Sequence, residues 1–336
     1  MTLKNQKQAL IDLPVLIIFF VRPELLAKVF EQVKIARPTK LFLYQDGPRE
    51  NIQDDIENIN KCRNIVEDID WNCEVHIKYQ QRNIGCDPSE FIAQKWMFEH
   101  EEYGIVLEDD DVPSQSFFPF CKELLEKYKN DERINMICGM NHLGESKNNP
   151  YSYLFTTSGS IWGWASWKRA VDKWEEHYDF LNDLNAKNLL KNKLGRKYYK
   201  EFLKTCLGHA NSGKAHYESI MGASMFLNSM LNIVPTVNMM SNIGVGLNTT
   251  HSVDSINKLP KGIRRVFFMT TNEIEFPLRH PKYIIEDIAY KKKVDRIMAN
   301  GHIFLSLYRL FESVILRAWY GDFNSLYKGL KRRKIN

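Results

Sequence analysis

Cysteine is sparse and unpaired in this 336-residue chain. Cys62, Cys73, Cys86, Cys121, Cys138 and Cys206 form no CxxC and no spacing that points to a zinc site or a disulfide frame, so free thiols in a reducing compartment are expected. Long apolar runs are missing as well. The run over residues 13–21 is far too short to span a bilayer, and residues 1–7 before it lead to no small-residue cleavage site. These absences predict no secretion, no transmembrane anchor and a cytoplasmic location. No GxGxxG follows the first apolar run, which argues against a dinucleotide-dependent dehydrogenase. Charge of one sign is not in large excess: the formal net charge is +5. The basic clusters, Arg264-Arg265, Lys291-Lys292-Lys293 and residues 328–334, come with no nucleic-acid motif, so no DNA or RNA partner is expected. Internal repeats and low-complexity segments are absent.

What the chain does have is apolar material in a regular order. At 44% hydrophobic and 12% aromatic it can build a sizeable core. Residues 14–21 form a continuous apolar run, the pattern of a strand buried on both faces. Arg22-Pro23 ends it, and residues 24–33 have helical spacing with Pro23 placed to open the helix. A second strand over 41–44 stops at Gln45-Asp46-Gly47-Pro48, a strong turn signal. A helix over 52–66, an alternating strand over 74–79 and a helix over 89–100 follow, then the apolar run Gly104-Ile105-Val106-Leu107. Helix 116–129, strand 133–139, a lysine-rich helix over 181–207, a helix from Tyr217 to Leu231 and the strand Ile233-Val234 complete the reading. Strand and helix alternate in the first part, which predicts an α/β fold with a mostly parallel twisted sheet flanked by helices.

The fourth strand runs straight into Glu108-Asp109-Asp110-Asp111. Adjacent anions repel one another, so the cluster needs a cation or a solvated loop. Ligands of open α/β sheets bind beyond the carboxyl ends of the strands. Carboxylates at such a place suit a hard divalent cation, Mg²⁺ or Mn²⁺, with phosphate oxygens as further ligands. The same edge collects Arg22, Asp46, Arg82 and Asn83 from the preceding strand ends.

These residues resemble nucleotide-sugar-dependent glycosyltransferases of the GT-A fold, and among them bacterial proteins similar to N-acetylglucosaminyltransferase I. The resemblance lies in Phe20-Val21-Arg22-Pro23-Glu24, Tyr44-Gln45-Asp46-Gly47, Arg82-Asn83-Ile84-Gly85-Cys86, Leu107-Glu108-Asp109-Asp110, Trp162-Gly163-Trp164-Ala165-Ser166-Trp167, and Ser241-Asn242-Ile243-Gly244 continuing to Thr250-His251-Ser252. It covers residues 14–281. It implies a GT-A sheet with a nucleotide-sugar-binding half (1–145) and an acceptor-binding half (146–300) of one domain, followed by an amphipathic helix and basic tail (301–336).

What the resemblance implies for the site is a metal-dependent transfer of a sugar from a nucleotide donor, UDP by preference, to a glycan or lipid-linked acceptor, with inversion. Asp110 would be the main ligand of Mn²⁺ or Mg²⁺, with Glu108 and Asp109 around the donor's sugar and ribose. Asp46 would accept the imide N–H of uracil, or serve only as an Asx turn. Arg22 would meet base or phosphate, or lie exposed at its strand end; Arg82 and Asn83 are candidates of the same kind. His251, after Gly244-Val245-Gly246, would touch diphosphate or metal. Of the tryptophans, Trp162 and Trp164 are the acceptor candidates, with one expected at the acceptor and the others buried. The family's catalytic aspartate is missing: its place reads Ala215-His216-Tyr217. Glu218 is then the nearest carboxylate and the favoured general base, His216 the alternative, and a glutamate serving only the helix N-terminus the bland one. A non-catalytic binding protein of the same fold is the competing reading. A nucleotidyltransferase would want a Gly-rich, lysine-bearing loop where Phe20-Val21-Arg22-Pro23 stands.

Residues 303–319 are amphipathic. Lys328, Lys331, Arg332, Arg333 and Lys334 follow without an acid among them. Two readings stand side by side: a helix docked on the domain with a frayed tail, or a tail that meets the anionic inner face of a membrane as a peripheral protein.

Overall fold

The computed structural model describes residues 7–245 and 255–322. In chain order its elements are β1 (Ile11–Phe19), α1 (Pro23–Ala36), β2 (Pro38–Gln45), α2 (Gln53–Val66), β3 (Glu74–Tyr79), α3 (Cys86–His100), β4 (Tyr103–Glu108) and β5 (Asp111–Pro113). Then come α4 (Phe117–Lys127), β6 (Ile134–Cys138), β7 (Tyr153–Thr156), β8 (Trp164–Trp167), α5 (Lys168–Val171), α6 (Leu184–Leu194), α7 (Arg196–Ala210) and α8 (Tyr217–Leu227). The last are β9 (Leu231–Pro235), β10 (Met240–Asn242), α9 (Lys261–Arg264), α10 (Ile288–Met298) and α11 (Ile303–Trp319).

The main sheet has the order β3-β2-β1-β4-β8-β6-β9-β7. The first four strands are parallel and in register at their carboxyl ends. Ile18 lies opposite both Tyr44 of β2 and Glu108 of β4, and Gln45 opposite Tyr79 of β3. That alignment delivers Arg22, Asp46, Asn83 and the acidic cluster to one edge. The fold is therefore the α/β class expected, a mostly parallel sheet with helices on both faces and a helix at the C-terminal end.

Each central strand is apolar on both faces because each face is covered. Val15 and Ile17 of β1 join a core with Leu26, Val29 and Phe30 of α1 and Phe120 and Leu124 of α4. Leu16 and Ile18 join the opposite core with Phe91 and Met97 of α3 and Tyr217 and Ile220 of α8. Period-2 side-chain alternation thus splits one continuous apolar run between two layers.

Three expectations change. The tryptophan stretch, expected to place one tryptophan at an acceptor, is partly strand. Its second half is β8, which enters the sheet antiparallel between β4 and β6. The lysine-rich helix over 181–207 is two helices, divided at Gly195, whose φ of +75° suits glycine. The helix from Tyr217 stops at Leu227, and the short β10 pairs antiparallel with β5, setting Asn242 against Asp111. No helix among the described residues is long and apolar enough to cross a membrane.

Candidate active site

The cleft at the strand ends has a volume of about 410 Å³, and its lining includes Phe20, Arg22, Asp46, Asn83, Glu108 and Asp109. Pro23 opens α1 and leaves Arg22 at the helix entrance, where its side chain is mostly covered. The guanidinium faces Asp109 with two nitrogens, Nε at 3.2 Å from Oδ2 and Nη2 against Oδ1, and sets Nη1 2.8 Å from Asp110 Oδ2. Burial alone would lower the Arg22 pKa; Asp109 and then Asp110 outweigh it and hold the guanidinium above its ordinary value.

Asp46 organises the opposite wall. Its Oδ1 accepts from the N–H groups of Gly47 (2.8 Å) and Ile84 (3.0 Å). Its Oδ2 accepts from Asn83 Nδ2 (2.8 Å) and the Gly85 N–H (3.1 Å). Burial nevertheless pushes its pKa above the usual carboxylate range, only partly offset by the backbone donors. Gly47 is there for want of space: a Cβ would lie 2.5 Å from the Arg82 backbone. Arg82 itself exposes its side chain and is not part of the cleft lining. Arg49 is there instead, held by Asp55 through Nη2–Oδ1 at 2.6 Å and Nε–Oδ2 at 2.8 Å.

The acidic cluster divides its labour. Asp111 is fully buried and accepts from the Gly163 N–H (2.8 Å) and from Asn242 Nδ2 (3.1 Å). It ties β5, β8 and β10 together. The same Asn242 amide reaches Asp110 Oδ1 at 3.0 Å. Glu108 accepts from the Tyr217 hydroxyl at 3.3 Å, which brings the start of α8 to the cluster. Glu90, on α3, is buried beside them and accepts from the Cys86 thiol at 3.1 Å. Burial, then repulsion from the other carboxylates, raises these groups: Asp110 to about 6, Glu90 to about 8, and Glu108 and Asp111 well above the usual range. Arg22 is the only cation that pairs with the cluster among the described residues. A donor set of crowded oxygens with surplus negative charge fits a hard divalent cation. No ready-made group of metal-holding side chains is assembled among the described residues.

The expected base is not in the lining of this cleft. Glu218, in the first turn of α8, lines a neighbouring cavity of about 640 Å³ together with Asp87, His209 and His216. Cys86 and Glu90 of α3 line the cleft while Asp87 lines this second cavity, and Glu218 is close enough to Glu90 to raise its pKa. His216 has both ring nitrogens engaged, Nδ1 at 3.0 Å from Asp87 Oδ1 and Nε2 at 3.0 Å from Ser212 Oγ, and stacks on His209 at 3.8 Å.

Of the acceptor tryptophans, Trp164 must be withdrawn. It is 1% exposed, packed between Phe98 and Trp174 in the core, because β8 turns it inward. Trp162 is half-buried and rests against Phe267 at 4.9 Å, outside the lining of both cavities. Trp167 is a core residue whose Nε1 donates to the Leu125 carbonyl at 3.0 Å. His251 lies outside the described residues. Sequence reasoning missed Arg49 and Glu90. Arg49, next to the Gly47-Pro48 turn, could have been found from its place at a strand end. Glu90, inside a helix, left no such signal.

No protein-family model matches the chain, and no curated protein matches it. Solved structures with some similarity include HddC from Yersinia pseudotuberculosis, 11% identical over 51% of this chain and 86% of that one, with a TM-score of 0.29. Another is 4-diphosphocytidyl-2C-methyl-D-erythritol synthase from Anaerococcus prevotii, 12% identical over 64% of this chain and 98% of that one, TM-score 0.30. A third is an apo UDP-glucose pyrophosphorylase, 10% identical over 69% and 93% of the respective chains, TM-score 0.35. Likeness at this distance carries no argument about family or activity.

Proposed function

We propose that the protein is a metal-dependent glycosyltransferase that moves a sugar from a nucleotide donor, UDP by preference, to a glycan or lipid-linked acceptor. The observation that carries the reading is the convergence of Arg22, Asp46, Asn83, Glu108 and Asp109 from four adjacent strand ends on one cleft. Asp110, with Glu108 or Asp109 beside it, would hold Mn²⁺ or Mg²⁺. Bound there, the ion supplies Lewis-acid stabilisation of the departing diphosphate.

The chain's own residues do the rest. Asp46 already accepts four hydrogen bonds, so its role is to shape the 83–85 loop. Asn83 Nδ2 is committed to Asp46 and the Gly47 carbonyl, which leaves Oδ1 to accept the imide N–H of uracil. In the transfer step the bond from the anomeric carbon to the diphosphate oxygen breaks, and a bond to the acceptor oxygen forms. Glu218 takes the acceptor hydroxyl proton; its position in the second cavity, whose lining also includes Asp87, supports reading that cavity as the acceptor side. His216, the alternative, has both its nitrogens engaged, by Asp87 and Ser212.

A second reading, a nucleotide-sugar or glycan-binding protein without catalysis, is favoured by His216, which stands where the resembled family has its aspartate. A pyrophosphorylase, the activity named for one of the distant structures, is disfavoured by the first loop, Phe20-Val21-Arg22, which has neither glycine nor lysine. The deciding experiment is turnover of UDP-sugars with Mn²⁺ by wild type and Glu218→Gln. Transfer or hydrolysis that falls by about 10²-fold or more in the variant, with UDP binding retained, supports the enzyme. UDP binding without turnover of any donor supports the binding protein.

A further inference from the structure

The helix α11 is mounted inside out. Its polar side chains face the protein: Glu312 accepts from the Lys261 N–H at 3.1 Å, and Arg309 Nη2 lies 3.4 Å from the Arg296 carbonyl. Gly262 makes room for that arginine, since a Cβ there would meet Nη2 at 2.7 Å. The apolar stripe points the other way. Phe304 is 88% exposed, Leu307 56%, Phe311 66%, Ile315 47% and Trp319 83%. Steps of three and four residues put these on one line along a helix roughly 25 Å long. Water-soluble helices bury that stripe and expose the polar one. A contiguous exposed apolar face of this kind marks an interaction site.

The charge beside the stripe says what covers it. A groove of about 380 Å³ under α11 is lined by Arg265, Lys293, Arg296 and Arg309, with Gly262 and Leu305 among the other lining residues and no acid among them. Arg265, Lys293 and Arg296 are exposed and pair with no carboxylate among the described residues. Arg309 keeps its Nε buried and without a hydrogen-bond partner among the described residues. Lys328, Lys331, Arg332, Arg333 and Lys334 continue the positive charge in the sequence beyond the described residues. An apolar stripe with aromatic ends, flanked by cations that lack counter-charges, matches the boundary of an anionic bilayer, where acyl chains take the stripe and headgroup phosphates take the cations. A second copy across a two-fold axis would repeat the same cations at its own margin, which repel.

We infer that α11 and the cationic groove form a docking surface for an anionic lipid bilayer, with α11 lying flat in the interface and phosphate headgroups in the groove. This surface shares no residue with the cleft, and its binding is read without any sugar donor, so its failure leaves the reading of the cleft untouched.

The test is flotation of the full chain with vesicles of phosphatidylcholine alone and of phosphatidylcholine mixed with phosphatidylglycerol. Wild type should bind the anionic vesicles only. The doubly substituted Phe304→Glu/Phe311→Glu chain should lose about tenfold or more in affinity, although the basic tail is intact. The triple reversal Arg265→Glu/Lys293→Glu/Arg296→Glu should lose as much. All these side chains are exposed, so unchanged thermal melting is the check that both variants fold. Unaltered vesicle binding by the Phe304→Glu/Phe311→Glu chain would overturn the proposal, because the tail alone would then account for it. So would a wild type that ignores anionic vesicles but sediments as a dimer that the same substitutions dissociate.

Discussion

Gly244 lies against the Asp110 carboxylate so closely that a Cβ at that position would be 1.8 Å from Oδ2. The loop after β10 therefore crosses directly over the acidic cluster, anchored by the Ile243 N–H donating to the Asp110 carbonyl at 2.9 Å. The carboxylate cannot swing aside without cost, because Arg22 and Asn242 both hold it. Gly244→Ala should then displace either Asp110 or the loop. We expect UDP affinity in the presence of Mn²⁺ to fall by about tenfold or more, equivalent to ~1.4 kcal/mol, as read by calorimetric titration. Unchanged affinity would show that the loop's approach to Asp110 has no bearing on the donor.

Asp46 offers a second test, since its two oxygens fasten the loop that follows β3 through the Ile84 and Gly85 N–H groups and the Asn83 amide, and hold the turn after β2 through the Gly47 N–H. Asp46→Asn replaces one acceptor oxygen with a donor, which faces the same backbone donors unpaired. Losing such buried partners costs about 1–3 kcal/mol. UDP binding should weaken by one to two orders of magnitude, and the melting temperature should drop with it. Native-like UDP affinity in this variant would separate the loop from the base-binding role.

His142 predicts a pH effect on stability away from the site. It is buried, its Nδ1 has no hydrogen-bond partner among the described residues, and burial pushes its pKa down to about 4. The unfolded chain, with an ordinary histidine value of 6.5, binds the proton more readily in between. Stability is therefore full above about pH 6.5 and is lost as pH falls toward 4, by on the order of 3 kcal/mol from this one group. Urea unfolding of wild type and His142→Gln across that window should give curves whose difference shrinks as the pH drops. The buried carboxylates titrate alike in both proteins and cancel in the comparison.

Much of the cleft was legible because it rests on local signals. Continuous apolar runs, Pro23 at a helix start and the Asp46-Gly47 turn each mark an element in its own few residues, and the parallel winding then fixes which ends meet. The β8 insertion was not legible. Trp164-Ala165-Ser166-Trp167 is short, aromatic and follows a glycine, so nothing local distinguishes a buried antiparallel strand from an exposed sugar platform. Its partner strands, β4 and β6, are set by long-range pairing. The roles within the acidic cluster were also hidden. Nothing in the run Glu108-Asp109-Asp110-Asp111 sets Asp111 apart, because its partners Gly163 and Asn242 lie 52 and 131 positions away along the chain. The amphipathic span 303–319 was read with its correct limits, yet periodicity says only that a helix has two faces. Which face meets the domain depends on groups such as Lys261 and Gly262 that the helix finds in space.

The central claim is that the carboxylates at the end of β4 and the loops after β1, β2 and β3 together bind a nucleotide through a divalent cation. Calorimetric titration of UDP into wild type and Asp110→Asn, each with Mn²⁺ and with chelator, tests it most directly. The account predicts binding to wild type that requires Mn²⁺ and prefers UDP over other nucleoside diphosphates, with at least about a tenfold loss in Asp110→Asn, or ~1.4 kcal/mol. Binding of UDP that is equal in chelator and in Asp110→Asn, or no binding of any nucleotide to wild type, would contradict it.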